Sequence, residues 1–234
     1  MSDALIISHG QPSDPETAEA ALAGLAARVA GHLPGWSVGS ATLAAPDVLE
    51  RAVQGRVGVV FPLFMAGGWF TRVHLPRRLA EAGGAGWRVL EPLGCDPAVQ
   101  GLVLDALREQ GRIDSVILAA HGSGRSAAPA AIAVRLAARI RAELGIARVD
   151  AAFIDQSPRI AETRGHGPGS VCLPFFAADG GHVGNDLPEA LAEAGFQGRV
   201  LPALGLNPAL PVVIARAIRA GRPICAGECR PVLA

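Results

Sequence analysis

Histidine is the residue type in this chain whose positions could carry chemistry, and three of its six histidines sit where a ligand could reach them. His9 closes the apolar run Ala4-Leu5-Ile6-Ile7, and His121 closes Val116-Ile117-Leu118-Ala119. His182 stands at the end of Asp179-Gly180-Gly181. Neutral imidazole is a good ligand for cobalt, iron and nickel. With an unperturbed pKa of about 6.5 it also accepts protons near neutral pH. The loops around these residues suit a ligand. His121-Gly122-Ser123-Gly124-Arg125-Ser126 offers hydroxyls, a guanidinium and two glycines. Asp179-Gly180-Gly181 lets backbone come close to a bound group and leads into a helix whose N-terminus favours anions. The candidate metal-holding and proton-accepting pair is therefore His121 and His182. Ser123, Arg125, Asp179, Gly180, Gly181 and His9 are candidate substrate contacts. The plainer reading is that these are ordinary strand-to-helix turns with capping or packing histidines.

The remaining candidates are weaker. His32 ends a helix, where a cation is favourable. His166 lies in a Gly/Pro loop and reads as solvated. His74 reads as a helix-start residue. Cys225 and Cys229 form one C-x3-C pair, two ligands short of a closed zinc or iron–sulfur site. No G-x-G-x-x-G follows the first strand, and Gly122-Ser123-Gly124 lacks the spacing of a hydrolase elbow.

The elements that must position these residues follow from an internal repeat. The offset from His9 to His121 is 112 residues, and the same offset relates Pro46 to Pro158. It relates Phe61-Pro62-Leu63-Phe64-Met65-Ala66 to Leu173-Pro174-Phe175-Phe176-Ala177-Ala178, and Leu75-Pro76 to Leu187-Pro188. Leu93-Gly94-Cys95-Asp96-Pro97 matches Leu204-Gly205-Leu206-Asn207-Pro208 at offset 111. Two repeats result, 1–112 and 113–234. In the first, patterns predict strands at 4–8, 37–42, 57–62 and 87–91, and helices at 15–31, 46–54, 73–82 and 96–110. In the second they predict strands at 115–120, 149–154, 170–175 and 199–202, and helices at 128–144, 158–164, 184–194 and 208–220. Strands alternating with helices, and apolar rather than alternating strands, indicate an α/β fold with parallel sheets covered on both faces. A flavodoxin-like strand order, 2-1-3-4, would make the first and third strands neighbours. His121 and His182 would then stand together beyond their carboxyl ends, where open parallel sheets bind ligands.

Composition removes several function classes. Half of the 234 residues are hydrophobic, enough for a sizeable core, and the formal net charge is zero. That opposes a basic nucleic-acid binder or a polybasic membrane protein. All 21 basic residues are arginine. Schiff-base chemistry, pyridoxal phosphate attachment and a Walker A loop, each needing lysine, are excluded. With no tyrosine, no phenol serves as acid or base. Arginine grips carboxylates at two points, although codon bias is the plainer and favoured cause of the absence of lysine. Four scattered cysteines make no disulfide framework. Asp3 and the lack of a basic leading segment read against a signal peptide, and no uncharged stretch reaches membrane-span length. The expected location is cytoplasmic and the expected state a monomer or small homo-oligomer.

Three segments together resemble the sirohydrochlorin chelatases, the class II chelatases of the cobalamin and siroheme pathways. They are Leu5-Ile6-Ile7-Ser8-His9-Gly10, Leu118-Ala119-Ala120-His121-Gly122-Ser123, and Leu173–Pro188 with its Pro-Phe-Phe-Ala-Ala-Asp-Gly-Gly-His core. The resemblance implies two flavodoxin-like subdomains with a tetrapyrrole cleft between them. It implies ATP-independent insertion of cobalt or iron into sirohydrochlorin, with no cofactor beyond the divalent metal substrate. The two histidines of the family map onto His121 and His182. In the first repeat His9 matches, but Phe70 stands where the second histidine would be, so that half is degenerate at the metal site. An acidic residue expected near the second strand has a counterpart in Asp155-Gln156. Arg125 is the leading contact for the carboxylates of the macrocycle. The alternative function is a carrier of metal or tetrapyrrole without catalysis.

Overall fold

A computed structural model describes residues 2–224. Cys225 and Cys229 lie outside the described residues. The chain forms two compact units, one of residues 2–96 with 208–224 and one of residues 97–207.

Each unit is a four-stranded parallel sheet with helices on both faces. The first contains β1 (Ser2–Ser8), β2 (Trp36–Thr42), β3 (Gly58–Pro62) and β4 (Arg88–Val89), in the order β2-β1-β3-β4. The second contains β5 (Ser115–Ala120), β6 (Arg148–Phe153), β7 (Ser170–Pro174) and β8 (Arg199–Val200), in the order β6-β5-β7-β8. Both are the 2-1-3-4 order, so the first and third strands of each unit are neighbours. Ile7 pairs with Pro62 and Ala119 with Pro174. The strands are continuous apolar runs because both faces are covered. All six residues of β5 are buried.

The helices are α1 (Pro15–Ala30), α2 (Val48–Val53), α3 (Leu75–Glu81) and α4 (Pro97–Arg108), then α5 (Ala128–Leu144), α6 (Leu187–Ala194) and α7 (Leu210–Ala220). On one face of the first sheet, Leu5, Ile7 and Val60 pack against Leu49, Leu75 and Leu79. On one face of the second, Ile117, Ala119 and Cys172 pack against Leu187 and Leu191. The last helix of each sequence repeat joins the unit built on the other repeat's sheet: α4 packs on α5, and α7 packs on α1 and β3. Arg219 of α7 donates to the carbonyl of His32 just beyond α1. No helix among the described residues is long and apolar enough to cross a membrane.

Two departures from the sequence expectations have clear causes. A helix at 158–164 shrinks to one 3-10 turn, Ile160–Glu162. Phe153 donates to the carbonyl of Pro158 and bridges to Arg159, which holds the segment's start extended along β6. The turn ends at Thr163, whose backbone is already extended at φ −68° and ψ 142°. The second departure is that both third strands lead into a π-helical turn, Phe70–His74 and His182–Asp186, before α3 and α6. Each turn runs into Leu-Pro. Proline has no N–H for the carbonyl four residues back and its ring clashes there, and a wider turn relieves both problems.

His166 is buried at 3% exposure rather than solvated. Its Nε2 lies 3.0 Å from Asp150 Oδ2 and its Nδ1 2.7 Å from Ser115 Oγ, which in turn meets Ser170 Oγ at 2.8 Å. The carboxylate can only accept, so Nε2 carries the hydrogen and Nδ1 accepts from Ser115. The network staples the amino-terminal ends of β5 and β7 to β6, the edge opposite His121. The order Ser-His-Asp resembles a hydrolase triad, but Ser115 is buried in the sheet and faces no cleft. Burial, and then Arg148, push the His166 pKa below 6.5 against the opposing pull of Asp150. A folded-state pKa below the unfolded value means that the unfolded chain takes up the proton first. Stability from this group is therefore complete above about pH 6.5 and declines as the pH falls below it. His166→Ala should lower the unfolding free energy by about 2 kcal/mol or more, since it leaves a cavity and takes one of the two partners of the buried Ser115 hydroxyl. Urea unfolding should show a smaller difference between wild type and variant at pH 5 than at pH 8.

Candidate metal-binding site at the carboxyl end of the second sheet

His121 leaves the carboxyl end of β5 into a turn that only glycine makes easily. Gly122 has φ +77°, and a Cβ there would lie 2.7 Å from Gln156 Cγ and 3.0 Å from Phe153 Cβ. Gln156 Oε1 accepts from the Ser123 N–H at 2.8 Å, pinning the loop from the side of β6. Ser123 Oγ accepts from the N–H groups of Arg125 and Ser126. Its hydroxyl hydrogen is thereby left to donate outward. Arg125 is exposed on the same loop.

The His121 ring is oriented by two acceptors. Its Nδ1 lies 3.2 Å from the Gly122 carbonyl and 3.3 Å from Asp155 Oδ2. Neither can donate, so Nδ1 carries the hydrogen and the lone pair is on Nε2. Asp155 owes its place to the backbone, since its N–H donates to the His121 carbonyl at 2.9 Å. Asp155 and Gln156, which the sequence offers only as an acidic position near the second strand, are thus the two residues that orient the loop.

The second arm of the site starts from the neighbouring strand. After β7, Phe175 and Phe176 are buried, and Asp179 is exposed. The Gly180 carbonyl accepts from the N–H groups of Val183 and Gly184 at 2.9 and 3.0 Å, which closes the Asp179-Gly180-Gly181 turn. The backbone of His182 opens the π-helical turn that follows. Its side chain lies outside the described residues. Among the described side chains no three of His, Cys, Asp and Glu come together.

The equivalent corner of the first unit shares the backbone and not the chemistry. Gly10 has φ +76°, and the His9 Nδ1 lies 3.2 Å from the Gly10 carbonyl. The residue whose N–H donates to the His9 carbonyl is Ala44, in the place that Asp155 holds in the second unit. Phe70 stacks at a tilt against His9, with ring centroids 5.4 Å apart.

Comparison with known proteins fits this geometry. A CbiX family model matches residues 115–220, a stretch that includes His121 and Asp155. The structure of CbiX, the terminal enzyme for biosynthesis of siroheme in denitrifying bacteria, is 46% identical. It aligns over 93% of this chain and 98% of its own, with a TM-score of 0.86. The sirohydrochlorin chelatase SirB from Bacillus subtilis subspecies spizizenii, in complex with cobalt, shares the fold at 18% identity. It has a TM-score of 0.66 over 94% of this chain and 95% of its own. SirB from Bacillus subtilis with Fe3+ does so at 16% identity and a TM-score of 0.72, over 94% and 96%. No curated protein is similar enough to count as a match. The fold and the repeated histidine loops define a class II chelatase-like protein, and this chain belongs to the CbiX family.

Gly122→Ala should disturb the site through the backbone. The positive φ costs an alanine about 1 kcal/mol or more before its contact with Gln156 is counted. The thermal midpoint should fall by several degrees. A double variant with Gln156→Ala, which removes the clashing atom, should recover part of that loss.

Proposed function

We propose that this chain inserts a divalent metal, cobalt or iron, into sirohydrochlorin without ATP, with His121 and His182 holding the ion. The observation that carries the reading is the His121 ring, whose hydrogen is committed to Asp155 and Gly122. With the hydrogen on Nδ1, Nε2 is the ring nitrogen that can give a lone pair to a metal or a proton. The 46% identical CbiX, the terminal enzyme for biosynthesis of siroheme, supports the substrate class.

The reaction exchanges one divalent cation for two pyrrole protons. Nε2 cannot bind the ion and a proton at once, so the two roles follow in sequence. His121 and His182 first hold the ion by their neutral rings. As the ion passes to the ring nitrogens, the freed Nε2 of His121 takes one pyrrole proton. The imidazolium that forms is stabilised by Asp155, already in contact with Nδ1. The second proton leaves through His182 to solvent. Ser123 and Arg125 offer donors to the carboxylates at the rim of the macrocycle, with Asp179, Gly180 and Gly181 forming the turn beside them. His9 contributes at most a substrate contact. The protein works in the cytoplasm in this reading.

Purified protein mixed with sirohydrochlorin and Co2+ or Fe2+ should shift the absorbance of the macrocycle at a rate proportional to enzyme. Binding of both ligands with no such shift would support the carrier reading instead. His121→Ala and His182→Ala should each remove most of the insertion rate. Asp155→Ala should cost about 10- to 100-fold, and His9→Ala much less. Equal losses for His9→Ala and His121→Ala would contradict the assignment to the second unit.

A further inference from the structure

We infer that the second unit carries a further binding site, at the outer edge of β6, for a small molecule with an anionic head and an apolar body. It goes beyond the metal insertion proposed above, and none of the residues that line it takes part in that chemistry.

The site is a cleft of about 490 Å³ between α5 and the segment 158–164. That is the size of a small-molecule pocket. The segment stands where the first unit has α2, and it makes only the 3-10 turn Ile160–Glu162. The proposed metal site lies beyond the carboxyl end of the sheet, whereas this cleft runs along β6 from Arg148 to Ala151. Val134, Ala137, Ala138 and Val149 give it an apolar lining. Val134 is 54% exposed, which leaves apolar area for a ligand to cover.

The strand edge limits what can bind. β6 is the edge strand of its sheet. Ile154 donates to the Ala120 carbonyl, so by alternation Asp150 and Ala152 serve the ladder to β5. Val149, Ala151 and Phe153 then turn their backbone groups outward. The Phe153 N–H is taken by the Pro158 carbonyl, and the Val149 carbonyl accepts from Arg141 Nη2 at 2.9 Å. Both ends of the edge are thus closed to an added strand. Ala151 lies between them and lines the cleft, and its N–H has no acceptor among the described residues. The opening is one residue long, too short for a peptide strand and sufficient for one anionic oxygen.

Charge selects the head. Three guanidiniums and two carboxylates line the cleft. Arg148 is matched by Asp150, whose Oδ2 lies 2.8 Å from Nε and 2.7 Å from Nη2. Glu162 is turned to its own backbone, where Oε2 accepts from the Arg159 N–H at 2.8 Å. Arg141 and Arg164 are held by carbonyls alone, Arg141 by that of Val149 and Arg164 by those of Ala161 and Thr163. A carbonyl orients a guanidinium without neutralising it. One such charge is fixed on α5 and the other on the facing segment, and neither has a carboxylate partner among the described residues. An anion entering the cleft gains charge-assisted hydrogen bonds from both. Carboxylate and phosphate share this chemistry.

Hexanoate and hexyl phosphate are the probes, each titrated into the full chain and followed by proton–nitrogen NMR. Both should move the Ala151 amide resonance saturably, and the tighter of the two names the head. Acetate, which lacks the apolar body, should bind at least about tenfold more weakly than hexanoate. Arg141→Gln and Arg164→Gln keep a donor for the carbonyls and remove the charge. Each should weaken binding about tenfold. Ala138→Leu, on the exposed face of α5, should fill the cleft and weaken binding at least as much. Circular dichroism checks the fold of each variant. An Ala151 amide unmoved by both probes would overturn the inference, as would wild-type affinity in all three variants.

Discussion

The hydrogen on the His121 ring has one nitrogen on which to sit. Two acceptors, the Gly122 carbonyl and the Asp155 carboxylate, face Nδ1. Everything proposed for the second unit follows from that placement, because it puts the lone pair of the ring on Nε2 at the carboxyl end of β5. The fold exists in a form that makes this possible. A parallel sheet in the order β6-β5-β7-β8 brings β6, the source of Asp155 and Gln156, to one side of β5. It brings β7, the source of the loop to His182, to the other. A glycine at positive φ then turns the chain sharply enough for Gln156 to hold the loop down.

The first unit shows what the same backbone does when the neighbours change. Gly10 keeps the turn and His9 keeps the histidine. Ala44 removes the carboxylate, Phe70 takes the place of a ligand, and the guanidinium of Arg77 reverses the tautomer of the nearby His74. Strand order and register survived the divergence because the buried faces of both sheets demand them. The charges at the carboxyl ends are under no such demand and have become opposite in kind: a carboxylate beside one histidine, guanidiniums beside the other.

The duplication and the position of His121 were legible from the chain because each depends on local pattern, whereas the strand order, set by long-range pairing, came only with the family resemblance. Apolar runs ending in His-Gly at a fixed offset mark strands whose ends carry the turn. Two features were not legible. The burial of His166 depends on Ser115, Asp150 and Ser170, which are far apart in sequence and meet only through the pairing of β5, β6 and β7. Its Gly/Pro surroundings suggested solvent. The loss of the helix at 158–164 depends on Phe153 recruiting Pro158 and Arg159 alongside β6, again a contact that no local pattern encodes. The π-helical turns had a signal, the Leu-Pro pair at both 75–76 and 187–188, whose missing N–H groups were readable as a disturbance at a helix start. The pairing of Asp155 with His121 lay between these cases. The residue type was visible, but which of Asp155 and Gln156 reached the ring was decided by strand register.

The direct test is anomalous diffraction from crystals of the protein equilibrated with cobalt. The account predicts one dominant metal peak about 2.0–2.1 Å from His121 Nε2, the span of a zinc–imidazole bond, with Asp155 still on Nδ1. A dominant peak on His9 or His74 in the first unit, with none at His121, would contradict it.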